Sequence, residues 1–408
     1  MDELELASRL HDPRSFLSDG FLPLLARLRR DAAVSWTAAW PERGFWSVTR
    51  HREVREVLLQ PARFSSAAMG DNIPADPHMY EEPAARAAAG LGLVPGYMDP
   101  PRHDAVRRPF ARPFGPASVA RMAAETQAIC DGLVDAVIDR GGCDFARDVA
   151  ARLPTHLVCG LLGVPRADWD HITGYVNSFI CNTEPDYQLG ATPAETIAIA
   201  ARGQFDYVRA LVADRRAHPK DDLTTLAALA PISEEECLWW CWAILIAGVE
   251  TTRNVITGGL LALIEHPALI ARLRAEPAGL RGAAEELARW TTPVQAVMRV
   301  ATEDCRIGDQ TIAAGDWVVA WLISANRDEA AFADPDRLDL RRNPNPHLAF
   351  GYGPHLCLGR NLALLEIRHI IGTVLRRLDA IELAGPPEWT SSVMATGVKS
   401  LPIRFRAA

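Results

Sequence analysis

The feature that most constrains this 408-residue chain is a run of helical spacing from Ser233 to about Glu265 whose middle is apolar on nearly every side. Ser233 followed by Glu236 is a capping-box pattern, and Pro267 stands just past the far end. Leu238, Trp239, Trp240, Trp242, Ala243, Ile244, Leu245 and Ile246 leave no polar face, so the helix is expected inside the core. Its tryptophans are read as core, not as pocket walls. Into this stretch the sequence inserts Ala247-Gly248-Val249-Glu250-Thr251-Thr252. An ionisable group and hydroxyls cost several kcal/mol there unless paired, and such a violation most often serves a function. The apolar run from Leu238 to Val249 is twelve residues long, short of the roughly 20 that a bilayer-spanning helix needs.

A second stretch, Phe350 to Gly359, reads Phe-Gly-Tyr-Gly-Pro-His-Leu-Cys-Leu-Gly. Gly351, Gly353 and Gly359 carry no Cβ, so the backbone can turn sharply and approach a flat ligand. A helix is expected from about Leu358, because Leu362, Leu365, Ile367, Ile370, Ile371 and Val374 recur at helical spacing. That places the Cys357 sulfur at a helix N-terminus, where unpaired N–H groups favour a thiolate. Such a thiolate is a metal ligand or a nucleophile. His355 and Cys357 lack two further close ligands for zinc, and Leu356 stands where a dinucleotide fingerprint needs its third glycine.

A formal charge of −8 argues against nucleic acid as a partner. The eight cysteines follow no framework spacing and read as reduced thiols. The opening Met1-Asp2-Glu3-Leu4-Glu5 has no apolar segment, so neither a secretion signal nor a membrane anchor is expected, and the protein is expected in the cytoplasm.

In chain order, Phe21, Leu22, Leu24, Leu25 and Leu28 mark an amphipathic helix, and residues 32–50 read as a strand hairpin around Pro41 and Gly44. A further helix runs through Val54, Val57 and Leu58. Residues 65–98 lack periodicity; a loop of that length inside a compact domain usually carries function. Asp99 is expected to cap a helix that opens with Pro100 and Pro101 and carries His103 and Arg107 on one face. From spacing alone that pair is a solvated basic face. Glu286 and Arg289, three apart on another helix, can form an ion pair, which if exposed contributes at most about 1 kcal/mol. Cys305 to Leu322 suggests a small sheet, and Val398 to Phe405 a strand preceded by a loop able to reach a pocket.

These residues together resemble the cytochrome P-450 family, whose haem-binding loop Phe-Gly-x-Gly-x-His-x-Cys-x-Gly is matched by Phe350, Gly351, Gly353, His355, Cys357 and Gly359. Its distal pattern Ala-Gly-x-(Asp/Glu)-Thr is matched by Ala247, Gly248, Glu250 and Thr251. The resemblance implies one domain over residues 1–408, mainly α with small β-sheets (α+β), binding haem b non-covalently. It makes Cys357 the axial iron ligand and directs His103, Arg107, Arg299 and His355 at the haem propionates. Ala247 and Gly248 would leave room for dioxygen, while Thr251 and Glu250 would deliver protons. Thr252 either shares this role as Thr251's neighbour or bonds back to the preceding turn. Glu286, Arg289 and Arg337 would form a structural network behind the thiolate loop, although Asp336 and Leu338 replace the commoner Glu and Phe beside Arg337. By family position Val294, Ala296, Val297 and Met394 would line the substrate pocket.

The implied reaction is monooxygenation of a lipophilic small molecule, a secondary metabolite, sterol or lipid. O2 would be the co-substrate, and NAD(P)H electrons would arrive through separate ferredoxin and ferredoxin reductase. A monomer without membrane or nucleic-acid partners is expected. Peroxide-driven or oxidative-coupling chemistry is the alternative reaction, and a haem or lipophile carrier or sensor is the alternative class.

Overall fold

The computed structural model describes residues 9–74, 76–182, 184–391 and 394–408, and the fold is mainly helical with small sheets. Its N-terminal part runs α1 (Phe21–Asp31), β1 (Val34–Thr37), β2 (Phe45–Val48), α2 (His51–Leu59) and β3 (Phe64–Ser65). Then come α3 (Arg102–Ala111), α4 (Ala123–Ile138), β4 (Gly142–Asp144), α5 (Arg152–Leu162), α6 (Trp169–Ile180), α7 (Pro193–Ala217) and α8 (Glu234–Glu265). The C-terminal part holds α9 (Leu280–Thr291), β5 (Val297–Ala301), β6 (Cys305–Ile307), β7 (Gln310–Ile312), β8 (Trp317–Ala320), α10 (Arg360–Arg377), β9 (Leu378–Leu383), β10 (Glu388–Ser391), β11 (Thr396–Ser400) and β12 (Pro402–Ala407).

Helix α8 begins as the sequence predicts. Ser233 Oγ accepts from the Glu236 amide at 3.1 Å, while the Glu236 carboxylate accepts from the Ser233 amide at 2.7 Å. The helix is buried along most of its length and packs against α5, α9, α10 and β11. Its approach to α5 demands a missing side chain, since a Cβ on Gly248 would lie 2.6 Å from Val158. Among the described residues no single helix is long and apolar enough to cross a membrane.

A five-stranded sheet in the order β1-β2-β8-β5-β3 flanks the helices, with β1 antiparallel to β2 in the register Trp36↔Trp46. A three-stranded sheet β4-β12-β9 and the pairs β6-β7 and β10-β11 complete the β structure. One apolar cluster fills the helical bulk, and a second joins α1 to the large sheet through Phe16, Phe21, Trp317 and Trp321.

Several local expectations are corrected. Leu22 points outward, because the inward stripe of α1 is carried by Phe21, Leu24 and Leu25. Residues 65–98 contain a short helix, Pro83–Ala88, and a turn, Pro95–Tyr97. Asp99 does not cap α3, whose N-cap is Pro101; its carboxylate instead accepts from the Ser65 hydroxyl and the Ser66 amide. The tail forms two strands, β11 and β12, in different sheets.

Candidate active site

The Phe350–Gly359 loop is closed by its own backbone. The Gly351 amide donates to Leu348 at 2.9 Å, Leu356 to Gly353 at 3.0 Å and Cys357 to Phe350 at 2.9 Å. Gly351 and Gly353 have φ near +70°, and a Cβ on Gly353 would meet the Leu58 carbonyl oxygen at 2.7 Å. Glycine is therefore required there by backbone shape and by the approach of α2. The Cys357 side chain opens onto an internal cavity of about 410 Å³ between this loop and the middle of α8. Burial raises the Cys357 pKa, while the Gly359 amide, Arg107, the Arg360 amide and the Arg360 charge pull it down. The helix-terminus effect is present but weaker than desolvation, so a thiolate here needs a cation opposite the sulfur.

Arg107, Arg299 and His355, from distant parts of the chain, line the same cavity, and His103 stands behind His355. His103 is buried, its ring 4.3 Å from that of His355 and its Nδ1 2.9 Å from Asp104. Neither His103 Nε2 nor His355 Nε2 has a hydrogen-bond partner among the described residues. Arg107 donates to the Leu356 carbonyl at 2.5 Å, which ties α3 to the cysteine loop. Arg299, buried on β5, donates to the Met298 carbonyl at 2.7 Å and senses the carboxylates of Asp71 and Asp99. Burial, helped by Arg299, His103 and Arg107, lowers the His355 pKa to about 3. Buried cations and orphaned ring nitrogens above a glycine-floored cradle fit a flat, carboxylate-bearing group placed over the sulfur.

Across the cavity, Ala247, Gly248, Glu250, Thr251 and Thr252 form the α8 wall. Thr251 Oγ1 donates to the Ala247 carbonyl at 2.8 Å, so the back-bond that is one of two readings of Thr252 is made by Thr251. Glu250 turns away from Thr251 to pair with Arg253, with the Cys181 sulfur 3.8 Å from it; its Oε2 has no partner among the described residues. Gly248 is small because α5 requires it as well as because it faces the cavity. Trp240 and Trp242, expected only as core, line the cavity too.

Val294, Val297 and Met394 line the cavity, whereas Ala296 packs in the second apolar cluster with Met298. Strand alternation explains the correction: Val297 and Arg299 face the cavity, and Ala296 and Met298 face the other way. Sequence reading also missed Asn72, Tyr97, Leu161, Ile180, Ile244 and Glu366 on the cavity wall. Glu366 was recoverable in principle as an acid within the apolar periodicity of α10. Burial raises its pKa well above the usual carboxylate range.

Glu286 and Arg289 form a fully buried double hydrogen bond, 2.8 Å on each side, in place of an exposed pair. Arg289 also donates to the Asn326 and Pro335 carbonyls at 2.8 and 2.9 Å. The third member is not Arg337, whose exposed side chain stays outside while its carbonyl accepts from Arg342 at 3.0 Å. Arg342 instead reaches Glu286, with Nε 3.2 Å from both oxygens. Asn326 Oδ1 accepts from the Leu348 amide at 2.6 Å, so the network ends two residues before the loop.

Comparison with known proteins agrees with this geometry. The family model described as Cytochrome P-450 matches residues 195–392, which include the α8 insertion and the cysteine loop. Cytochrome P-450-SU2 of Streptomyces griseolus is 37% identical over 389 residues, 94% of this chain and 93% of its own. The methyl-branched lipid omega-hydroxylase of Mycobacterium tuberculosis is 35% identical over 400 residues, covering 93% and 90%. The crystal structure of CYP108D1 from Novosphingobium aromaticivorans superposes with a TM-score of 0.89 at 33% identity, covering 99% of each chain. With a relative 37% identical over 94% of this chain and the whole fold shared, the chain belongs to the cytochrome P-450 family.

Proposed function

We propose that this protein is a haem-thiolate monooxygenase that inserts one oxygen atom of O2 into a C–H bond of a lipophilic small molecule. In this reading it hydroxylates a secondary metabolite, sterol or lipid, as a single-domain cytoplasmic monomer supplied with electrons by separate ferredoxin and ferredoxin reductase. Family membership carries the use of haem iron and O2. The observation that carries the site assignment is one mainly apolar cavity with the Cys357 sulfur on one wall and Thr251 on the other.

Cys357 would hold haem b through its sulfur, over the cradle of Phe350, Gly351 and Gly359. His103, Arg107, Arg299 and His355 would receive its carboxylates, giving the two orphaned ring nitrogens their partners. A thiolate-ligated haem supplies O2 activation and promotes O–O cleavage.

The chain's own part is proton handling and exclusion of water. Thr251 donates to Ala247, which leaves the lone pairs of its oxygen free to accept a hydrogen bond from the cavity side or from a carboxylic acid. Glu250 brings a buried carboxylate one residue away, with one oxygen on Arg253 and Oε2 without a partner among the described residues. Leu161, Ile180, Trp242, Ile244, Val294 and Val297 give the cavity an apolar lining that favours a lipophilic substrate. The relative named as a methyl-branched lipid hydroxylase supports that class.

A Soret-band titration of the haem-bound protein against sterols, fatty acids, terpenes, aromatics and polyketides tests the reading. At least one class should give a saturable spin-state shift and, with ferredoxin and its reductase, a hydroxylated product. Product formation with peroxide alone, at equal yield and without reductase, would overturn the electron-donor assignment.

A further inference from the structure

A second, smaller cleft of about 330 Å³ lies between α5, α6 and the Pro185–Tyr187 turn, outside the cavity just described. Arg147, Arg152, Asp170 and Asp186 stand exposed at its rim. Its inner wall includes His156, Trp169 and the buried Arg253, which is only 2% exposed. Arg253 links the two spaces. It lines this cleft, while its ion-pair partner Glu250 lines the main cavity. Its Nε has no hydrogen-bond partner among the described residues, so its donor capacity is incompletely used.

The cleft holds more cation than its own acids match. Arg147 is bound by Asp144 and Asp186 at 3.5 and 3.2 Å, whereas no ion pair is recorded for Arg152 among the described residues. Ala151 and Trp169 add apolar wall, with the His156 ring 4.6 Å from Trp169. Asp170 and Asp186 disfavour a dianion. Guanidinium groups beside an aromatic wall suit a carboxylate carried on a small apolar body.

We propose that this cleft is a second ligand site, for a small organic monocarboxylate held by Arg152 and Arg253. A carboxylate bound there competes with Glu250 for Arg253, which couples the cleft to the α8 wall of the main cavity. What this does to proton delivery rests on the role given to Glu250 above, so the test reads binding alone.

The probe is benzoate, titrated by calorimetry into the haem-bound protein. Saturable binding with no change in the Soret band is expected, weakened about tenfold or more by Arg152→Gln, since a charge-assisted contact is lost. Glu250→Gln should act in the opposite direction and tighten benzoate several-fold, because Arg253 is then no longer shared with a carboxylate. Inorganic phosphate should bind more weakly than benzoate. The proposal is overturned by the absence of saturable heat below about 10 mM, or by Arg152→Gln binding within twofold of the unchanged protein. Benzoate that shifts the Soret band and is displaced by a cavity-filling lipophile would also overturn it, by placing the ligand in the main cavity.

Discussion

The cysteine loop and the middle of α8 face each other across one cavity and handle polarity in opposite ways. On the loop side polar atoms are left unpartnered: the Cys357 sulfur faces the cavity, and the buried Nε2 atoms of His355 and of His103 on α3 have no partner among the described residues. On the helix side the polar groups are partly satisfied internally, with one Glu250 oxygen on Arg253 and Thr251 on the Ala247 carbonyl, while Glu250 Oε2 has no partner among the described residues. The loop is thus preorganised for a ligand, and the helix keeps part of its polar capacity within itself. Backbone hydrogen bonds and the positive-φ glycines Gly351 and Gly353 make the first arrangement, and side-chain rotation permits the second.

The largest expected effect removes the loop's central atom. Cys357→Ala should abolish the reduced-CO absorbance band typical of thiolate haem, and an unchanged band would break the comparison at its root. Next comes the support behind the loop. Arg342→Ala leaves the fully buried Glu286 with fewer partners and should cost about 2 kcal/mol of unfolding free energy, whereas Arg337→Ala should stay within about 0.5 kcal/mol. Equal midpoint shifts in denaturant would return Arg337 to the network.

On the helix side, Thr251→Ala should lower product formed per electron consumed by roughly tenfold while leaving haem binding intact. Full coupling in that variant would remove Thr251 from proton delivery.

The smallest effect contrasts the two buried acids. Among the described residues Glu366 has no ion pair such as Glu250 has, and its raised pKa means that the folded state keeps it protonated above the ordinary 4.5, where the unfolded chain has ionised. Stability is then lost as pH rises through that window, by at most about 1.4 kcal/mol per pH unit. Glu366→Gln should flatten the slope and raise the unfolding midpoint at pH 7. Glu250→Gln should lower that midpoint, because Arg253 is left buried and unpaired. Shifts of the same sign would show that the two acids occupy equivalent environments.

What could be read in advance depended on how far apart in the chain the cooperating residues lie. Contiguous patterns carried over well: the capping box at Ser233, the helix to Glu265, the hairpin of β1 and β2, and the glycine loop around Cys357 all rest on neighbours within a few residues. The failures are choices between near-equivalent side chains. Arg342 and not Arg337 reaches Glu286, Ala296 just before β5 packs on the face away from the cavity, and Thr251 makes the back-bond that is one of two readings of Thr252. The 65–98 segment gave no periodicity because side chains far apart in sequence tie it together: Asn72 reaches Tyr97 within it, and Ser65 reaches Asp99 just beyond it.

By itself, the sequence determined the central buried helix with its polar insertion, the cysteine in a glycine loop and the resemblance that names the family. Each of these is written in local spacing, which backbone geometry converts directly into local structure. Tertiary structure alone decided that His103 is buried behind His355 and does not line the cavity itself, and that Glu250 is held by Arg253. It alone decided that the same arginine lines a second cleft. Those outcomes depend on which helices approach closely enough to exclude water, and desolvation acts on the packed neighbourhood of a residue, whatever its place along the chain.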